Sequence, residues 1–184
     1  MEYIKTVILR DGRECVIRNA RREDADQVLD VFKRTHGETE NLTSYPDEIT
    51  MTHEQEAEYL AKKSESEKDA ELIAVVDGSV AGTAGIDPVG RFEKVRHRAH
   101  FGISILRKYW RLGIGRALTE ACIECAKIAG YAQLELAVVS DNENAIALYK
   151  SVGFTEYGRN PDAFRSRTRG AQENVLMRLV LKDE

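Results

Sequence analysis

The chain has 184 residues, 42% hydrophobic and 32% charged, with a formal net charge of −4. That length buries a sizeable core without a disulfide or metal staple and suits one domain spanning residues 1–184. The mild acidity excludes a general electrostatic attraction to nucleic acid or to an anionic membrane.

Residues 7–18 read as a β-hairpin, with Asp11-Gly12 as a tight primed turn between β-branched runs. A helix is predicted over residues 24–33, with Ala25, Val28, Leu29 and Phe32 on one face. Residues 36–52 are polar and carry Tyr45-Pro46, which predicts a loop. Thr52 caps a second helix over residues 54–63, and Gln55 three residues later completes a capping box. Residues 72–76 and 80–86 read as strands joined at Asp77-Gly78. Residues 87–98 form a basic loop, and residues 99–106 a strand. The stretch Tyr109-Trp110-Arg111-Leu112-Gly113-Ile114-Gly115-Arg116 then leads into an amphipathic helix over residues 114–128, stopped near Gly130. Residues 134–139 form a strand parallel to the one before the glycines, because a helix joins the two. A short helix over residues 144–152 ends at Gly153, and strands at residues 154–157 and 174–181 close the chain. This order predicts an α+β (mixed α/β) fold: a mixed, mostly antiparallel sheet with a central parallel βαβ unit and helices on both faces.

No apolar run approaches the ~18 residues of a membrane span, and the N-terminus lacks a signal-peptide pattern, so a cytoplasmic location is expected. Three cysteines, an odd number, fit a reducing compartment. Cys122 and Cys125 form a CxxC, but inside the helical run Ile114, Leu118, Ala121, Cys125, Ile128 rather than at a helix start, where a thiolate is stabilised. Two further ligands in a recognisable zinc pattern are lacking. Cys122 and Cys125 are expected to be small buried or half-buried hydrophobes, and no metal is expected.

The strand–turn–helix at residues 101–128 carries the strongest functional signal. Such a turn points several backbone N–H groups at one spot, at the positive end of a helix dipole, which suits a pyrophosphate. Gly113 and Gly115 let a ligand approach the backbone closely. The turn has neither a GxGxxG nor a Walker lysine, which weakens the dinucleotide and nucleoside-triphosphate readings.

Two motifs give the chain a resemblance to the GNAT superfamily of N-acetyltransferases, which use acetyl-coenzyme A. The first is the strand-turn-helix from Phe101-Gly102-Ile103-Ser104-Ile105 through Gly113-Ile114-Gly115-Arg116-Ala117-Leu118. The second runs from Asp141 to Phe154 and is similar to the family's N-x-x-A-x-x-L-Y-x-x-x-G-F segment. The likeness covers residues 16–181 and is loosest over residues 36–70. Where the family often has Arg or Gln three residues before the first motif glycine, this chain has Trp110. Arg111 and Arg116 flank the turn and either add charge-assisted phosphate contacts or are solvated helix-start arginines.

The resemblance implies attack of a neutral primary amine on the thioester of acetyl-coenzyme A, directly and in a ternary complex. It implies that the two parallel strands splay apart at the glycine turn and that the pantetheine arm pairs with the backbone of Ile103, Ser104 and Ile105. Residues Arg111, Leu112, Gly113, Ile114, Gly115 and Arg116 would cradle the pyrophosphate. Tyr149 matches the tyrosine that protonates the coenzyme A sulfur; its plainer reading is a core tyrosine of the short helix. Asn142 matches an asparagine that contacts the cofactor, and it also stands where a helix cap belongs. The family often places a glutamate base where this chain has His100, which alternation puts on one strand face with Gly102 and Ser104. Glu38 is the rival base, and water a third. Glu38, Thr39 and Tyr45 lie in the region that covers the acceptor in this family.

Arg96 to Arg98, and the stretch holding Arg159, Arg165, Arg167 and Arg169, could shape the acceptor site, a subunit contact or plain surface. Without aromatic interleaving they do not signal nucleic acid. Small-molecule amines, amino acids, antibiotics and protein N-termini all remain open as acceptors. A homodimer is compatible with the resemblance. Two other classes compete with the enzyme: a non-catalytic acyl-coenzyme A-binding or sensor module on the same fold, and an interaction protein whose glycine turn is merely structural.

Overall fold

The computed structural model describes residues 1–181. In chain order the elements are strands β1 (Ile4–Ile8) and β2 (Glu14–Asn19), helices α1 (Ala25–Glu38) and α2 (His53–Glu65), strands β3 (Ala70–Val76), β4 (Ser79–Pro88) and β5 (Arg98–Ile105), helix α3 (Ile114–Ile128), strand β6 (Gln133–Val139), helix α4 (Glu143–Ser151), and strands β7 (Thr155–Ser166) and β8 (Gly170–Val180). All eight strands join one sheet in the order β1-β2-β3-β4-β5-β6-β8-β7. Every neighbouring pair is antiparallel except β5 and β6. The mixed, mostly antiparallel sheet with one parallel βαβ unit is therefore the observed architecture.

Strand β3 and most of β4 are buried on successive residues rather than alternate ones, which requires cover on both faces. One cover is α1 packed on α2, the other α3 packed on α4. Alternation assigns the sides: Ala99, Phe101, Leu134 and Leu136 face α3 and the core, while His100 and Gly102 face the other way and are exposed. Cys15, Cys122 and Cys125 are fully buried free thiols, and burial pushes the thiols up, which keeps them protonated and inert.

Local chemistry decides which turns match their sequences. Asp77 and Gly78 both have positive φ, and Val76 pairs with Ser79, so this is a two-residue primed turn. Asp11-Gly12 is not: Ile8 pairs with Glu14, leaving a loop of residues 9–13 in which only Gly12 has positive φ. The Thr52–Gln55 capping box forms in both directions. Helix α1 runs past residue 33 to Glu38, because Thr35 and His36 are buried there with their side chains on the Phe32 carbonyl. Phe32 turns out of the core and is 39% exposed; Val31 takes the buried position. The last two strands are much longer than residues 154–157 and 174–181. Their turn-like residues 158–162 are carried in a bulged ladder against β8.

Asp87, His100 and Glu135 stand opposite one another on β4, β5 and β6, so three titratable side chains form one row. Glu135 is buried, and its hydrogen bonds from Arg98, joined by one from Gln133, hold its carboxyl below the usual range. Lys63 of α2 pairs with Asp87. Beneath α2, burial pushes the Glu71 carboxyl up to about 7 from 4.5; Asp87 and Glu56 add to the rise, and Lys63 opposes it. The folded state thus holds the Glu71 proton more tightly than the unfolded chain does, so stability falls as pH climbs from about 4.5 to about 7. In urea unfolding across that window, Glu71→Gln is expected to lose part of this decline; an unchanged slope would assign it to other groups.

Candidate functional site

The glycine turn is built by its own backbone. Arg111 and Gly113 both take positive φ, +64° and +103°. The β1–β2 loop braces the turn from behind: the Arg10 N–H donates to the Leu112 carbonyl at 3.0 Å, and the Arg10 guanidinium reaches the Arg111 carbonyl. With carbonyls turned toward that loop, the N–H groups of Arg111, Leu112, Gly113, Ile114, Gly115 and Arg116 have no backbone partner among the described residues. Ala117 is the first whose N–H is taken up, by the Gly113 carbonyl. Six free donors at the positive end of a fifteen-residue helix are what a pyrophosphate needs. Ile114 contributes its N–H only, since its side chain is core. A Cβ at Gly115 would meet Leu148 at 3.3 Å and Ile105 at 3.5 Å, so this glycine lets α3 close on α4 and β5. The Arg116 guanidinium is spent on Glu120 and on the Ser151 hydroxyl.

Next to the turn lies an open strand edge. Strands β5 and β6 pair only at Arg98–Gln133, Ala99–Leu134 and His100–Glu135, then part. The divergence thus begins well before the glycine turn. The Leu106 N–H donates to the Ala81 carbonyl, which fixes the phase of the β4–β5 ladder. In that phase Ser104 exchanges its backbone bonds with Thr83, whereas Ile103 and Ile105 aim theirs at the edge β6 has left. Of the three residues expected to meet a pantetheine arm, Ile103 and Ile105 have backbone groups there, and Ser104 offers only its side chain. The Ile105 carbonyl is already taken: Trp110 Nε1 donates to it at 2.7 Å. The Trp110 ring is 45% exposed with the Arg107 guanidinium over it. This indole closes the end of the open edge, a role not read from the sequence.

Tyr149 lies on the far wall of the gap. Its ring packs edge-on to Phe101 at 6.0 Å and against Phe154 at 5.9 Å, and the residue is buried. Burial pushes its phenol well above the ordinary value, so it is a proton donor across the neutral range. Asn142 caps α4: its Oδ1 accepts from the Ala145 N–H.

On the α1–α2 side, His100 is exposed between the row partners Asp87 and Glu135. Glu38, the rival base, ends α1 with its carboxylate held by the Arg107 N–H at 2.6 Å. It ties α1 to the segment after β5. Thr39 Oγ1 accepts from the Asn41 N–H, an ordinary loop bond. Tyr45 donates to Glu40 at 2.9 Å and accepts from the Arg167 N–H at 2.7 Å. The Arg167 guanidinium lies over the Tyr45 ring and pairs with Asp47 through both nitrogens. The tip of the β7–β8 hairpin is thereby fastened to the α1–α2 loop. The sequence left the basic stretch open as acceptor site, subunit contact or plain surface; this contact within the chain was not read from it. Among the described residues no group of three His, Cys, Asp or Glu side chains could hold a metal, and no helix is long and apolar enough to cross a membrane.

The model of the acetyltransferase (GNAT) family matches residues 26–154. An N-alpha-acetyltransferase of Sulfurisphaera tokodaii is 31% identical over 155 residues, covering 80% of this chain and 84% of that protein. The L-amino acid N-acetyltransferase AaaT of Escherichia coli is 29% identical over 77% of this chain and 83% of its own length. Among solved structures, a GNAT-family acetyltransferase from Streptococcus pneumoniae superposes with a TM-score of 0.86, is 28% identical, and covers 91% of this chain and 99% of that one. The donor cradle, the parted strands and these matches over most of the chain agree: this protein belongs to the GNAT family and is an acetyl-coenzyme A-dependent acyltransferase.

Proposed function

We propose that the protein moves an acetyl group from acetyl-coenzyme A to a primary amine by direct attack in a ternary complex. One observation carries this reading. The unpaired edge of Ile103 opens between β5 and β6 directly beside Phe101, on which Tyr149 packs. A pantetheine arm laid along that edge as an added strand puts the thioester between a backbone donor and a buried phenol.

The chemistry follows from that placement. The amine nitrogen bonds to the thioester carbon, and charge builds on the carbonyl oxygen. The Ile103 N–H is the donor available to it. As the C–S bond breaks, Tyr149 gives its proton to the leaving thiolate and recovers one from solvent. His100, exposed in the row with Asp87 and Glu135, takes the proton the amine loses. Glu38 is less suited, since its carboxylate already serves the Arg107 N–H. The pyrophosphate rests on the N–H groups from Arg111 to Arg116, and Asn142 keeps the Tyr149 helix in register.

Tyr149→Phe is expected to lower turnover about 100-fold or more while leaving the acetyl-coenzyme A dissociation constant within about twofold. Thiol release and calorimetry together check this, and unchanged turnover would remove Tyr149 from the mechanism. His100→Asn should reduce kcat/KM about 100-fold with the same donor affinity; parity with the parent would move the base role to water. Gly113→Ala forces a Cβ into φ +103° and should weaken donor binding about tenfold, with a stability loss of about 1–2 kcal/mol. Stabilisation by acetyl-coenzyme A without thiol release from any amine would favour the sensor module instead.

A further inference from the structure

Strands β5 and β6 stay extended well past the point at which they part. Strand β5 runs on to Ile105 and β6 to Val139, yet their pairing ends at His100–Glu135. Three rungs of a parallel ladder carry few hydrogen bonds, so backbone pairing alone does not hold such a fork in place.

Side chains span the same three rungs. Glu135, whose own backbone makes the last rung, is 3% exposed. Arg98, at the first rung on the other strand, straddles its carboxylate: Nε donates to Oε1, and Nη2 donates to Oε2 at 2.7 Å. Gln133, the rung partner of Arg98, donates its Nε2 to Oε1 at 2.6 Å. Glu135 also has an arginine directly opposite it on β8, Arg178, across a ladder of seven pairs. The Arg178 guanidinium instead lies over the Tyr157 ring, and the two-nitrogen grip on Glu135 comes from β5. A charge-assisted bidentate bond is thus placed across the shortest ladder of the sheet.

On the opposite face the same point is tied to the phenol. Phe101 is the first residue past the last rung, and its ring packs against Tyr149 and Phe154. The place of the fork along β5 and the place of Tyr149 are therefore set against each other.

We infer that the Arg98–Glu135 pair is a clasp that fixes where the sheet opens, and that both are positioning residues for acetyl transfer. The inference rests on the acetyltransferase reading. A donor arm added to the free edge of β5 can pair no further in than the last rung. With the clasp closed, the arm stops there and its thioester lies beside Tyr149. With the clasp lost, the His100–Glu135 rung frays, the arm gains room to slide, and the sulfur loses its fixed distance to the phenol. Neither side chain touches the reacting atoms; both act through the backbone between them.

The double variant Arg98→Leu/Glu135→Leu tests this. It removes both partners, so no buried charge is left unpaired, and it should melt close to the parent. Its kcat should fall about 10–100-fold, while the acetyl-coenzyme A dissociation constant stays within about threefold. A pair that only stabilised the fold would leave kcat unchanged in a variant that melts like the parent. The second readout needs no acceptor. Hydrogen exchange at the Phe101 N–H, which points toward β6, should speed up about tenfold or more, whereas that of Gly102, bonded toward β4, should not change. Arg98→Lys keeps a charge but cannot straddle the carboxylate, so it should fall between the parent and the double variant in both readouts. It carries the test if the double variant does not fold. Faster exchange at Phe101 upholds the clasp even if no amine is acetylated, in which case only the proposed transfer to an amine fails. Parent-like kcat in both variants, or unchanged exchange at Phe101, would overturn the inference.

Discussion

The parting of β5 from β6 after three paired residues is the constraint on which the site depends. A sheet interior normally spends every backbone N–H and C=O on its neighbours. Here β4 remains bound to β5 on one side and β8 to β6 on the other, while the middle opens. The opening leaves peptide groups of Ile103 and Ile105 facing a gap, and Trp110 covers one of them. The rest form a template for one more strand-like partner, which the pantetheine arm resembles in its spaced amides. The helix that crosses from β5 to β6 starts at the same opening, so its free N–H groups and the open edge lie side by side, as the proposed placing of one extended cofactor requires.

The two sides of the sheet divide the labour. The α3–α4 side is apolar and buries Phe101, Tyr149 and Phe154 together, which desolvates the phenol. The α1–α2 side carries the row of Asp87, His100 and Glu135. In the proposed mechanism, proton donation to a leaving thiolate and handling of a polar acceptor need opposite surroundings, and the sheet separates them.

How much of this was legible follows from whether the signal is local. The Asp77-Gly78 turn, the Thr52–Gln55 cap and the helical period of residues 114–128 are written in short stretches, and all appear where expected. The run of free N–H groups at the glycine turn was readable for the same reason, since strand, glycines and helix are contiguous. Asp11-Gly12 misled because the flanking ladder closes two residues early. Helix α1 outran its apolar pattern because tertiary burial of Thr35 and His36 extends it. The β7–β8 hairpin was cut short because Gly158, Asn160 and Pro161 look like loop residues; Gly158 and Asn160 pair with β8 residues far along the chain, and Pro161 sits in the bulge between them and Phe164. The acceptor side was the least legible: Tyr45 and Arg167 are far apart in sequence, and nothing in either neighbourhood names the other.

The brace behind the glycine turn has a consequence for how donor affinity is maintained. Arg111 adopts a left-handed backbone that a non-glycine residue avoids when alone, at a cost of about 1–2 kcal/mol. What opposes that cost comes from the first hairpin: Arg10 holds the carbonyls of Arg111 and Leu112, and Arg13 lies over the Tyr109 ring. The hairpin lies behind the turn, yet the proposed donor site depends on it thermodynamically. Fraying of the first ladder would let the turn relax, scatter the six N–H groups and lower affinity with every binding residue intact. The N-terminal strand is thus a tensioner, and the cradle keeps its shape only while that outer edge of the sheet stays closed.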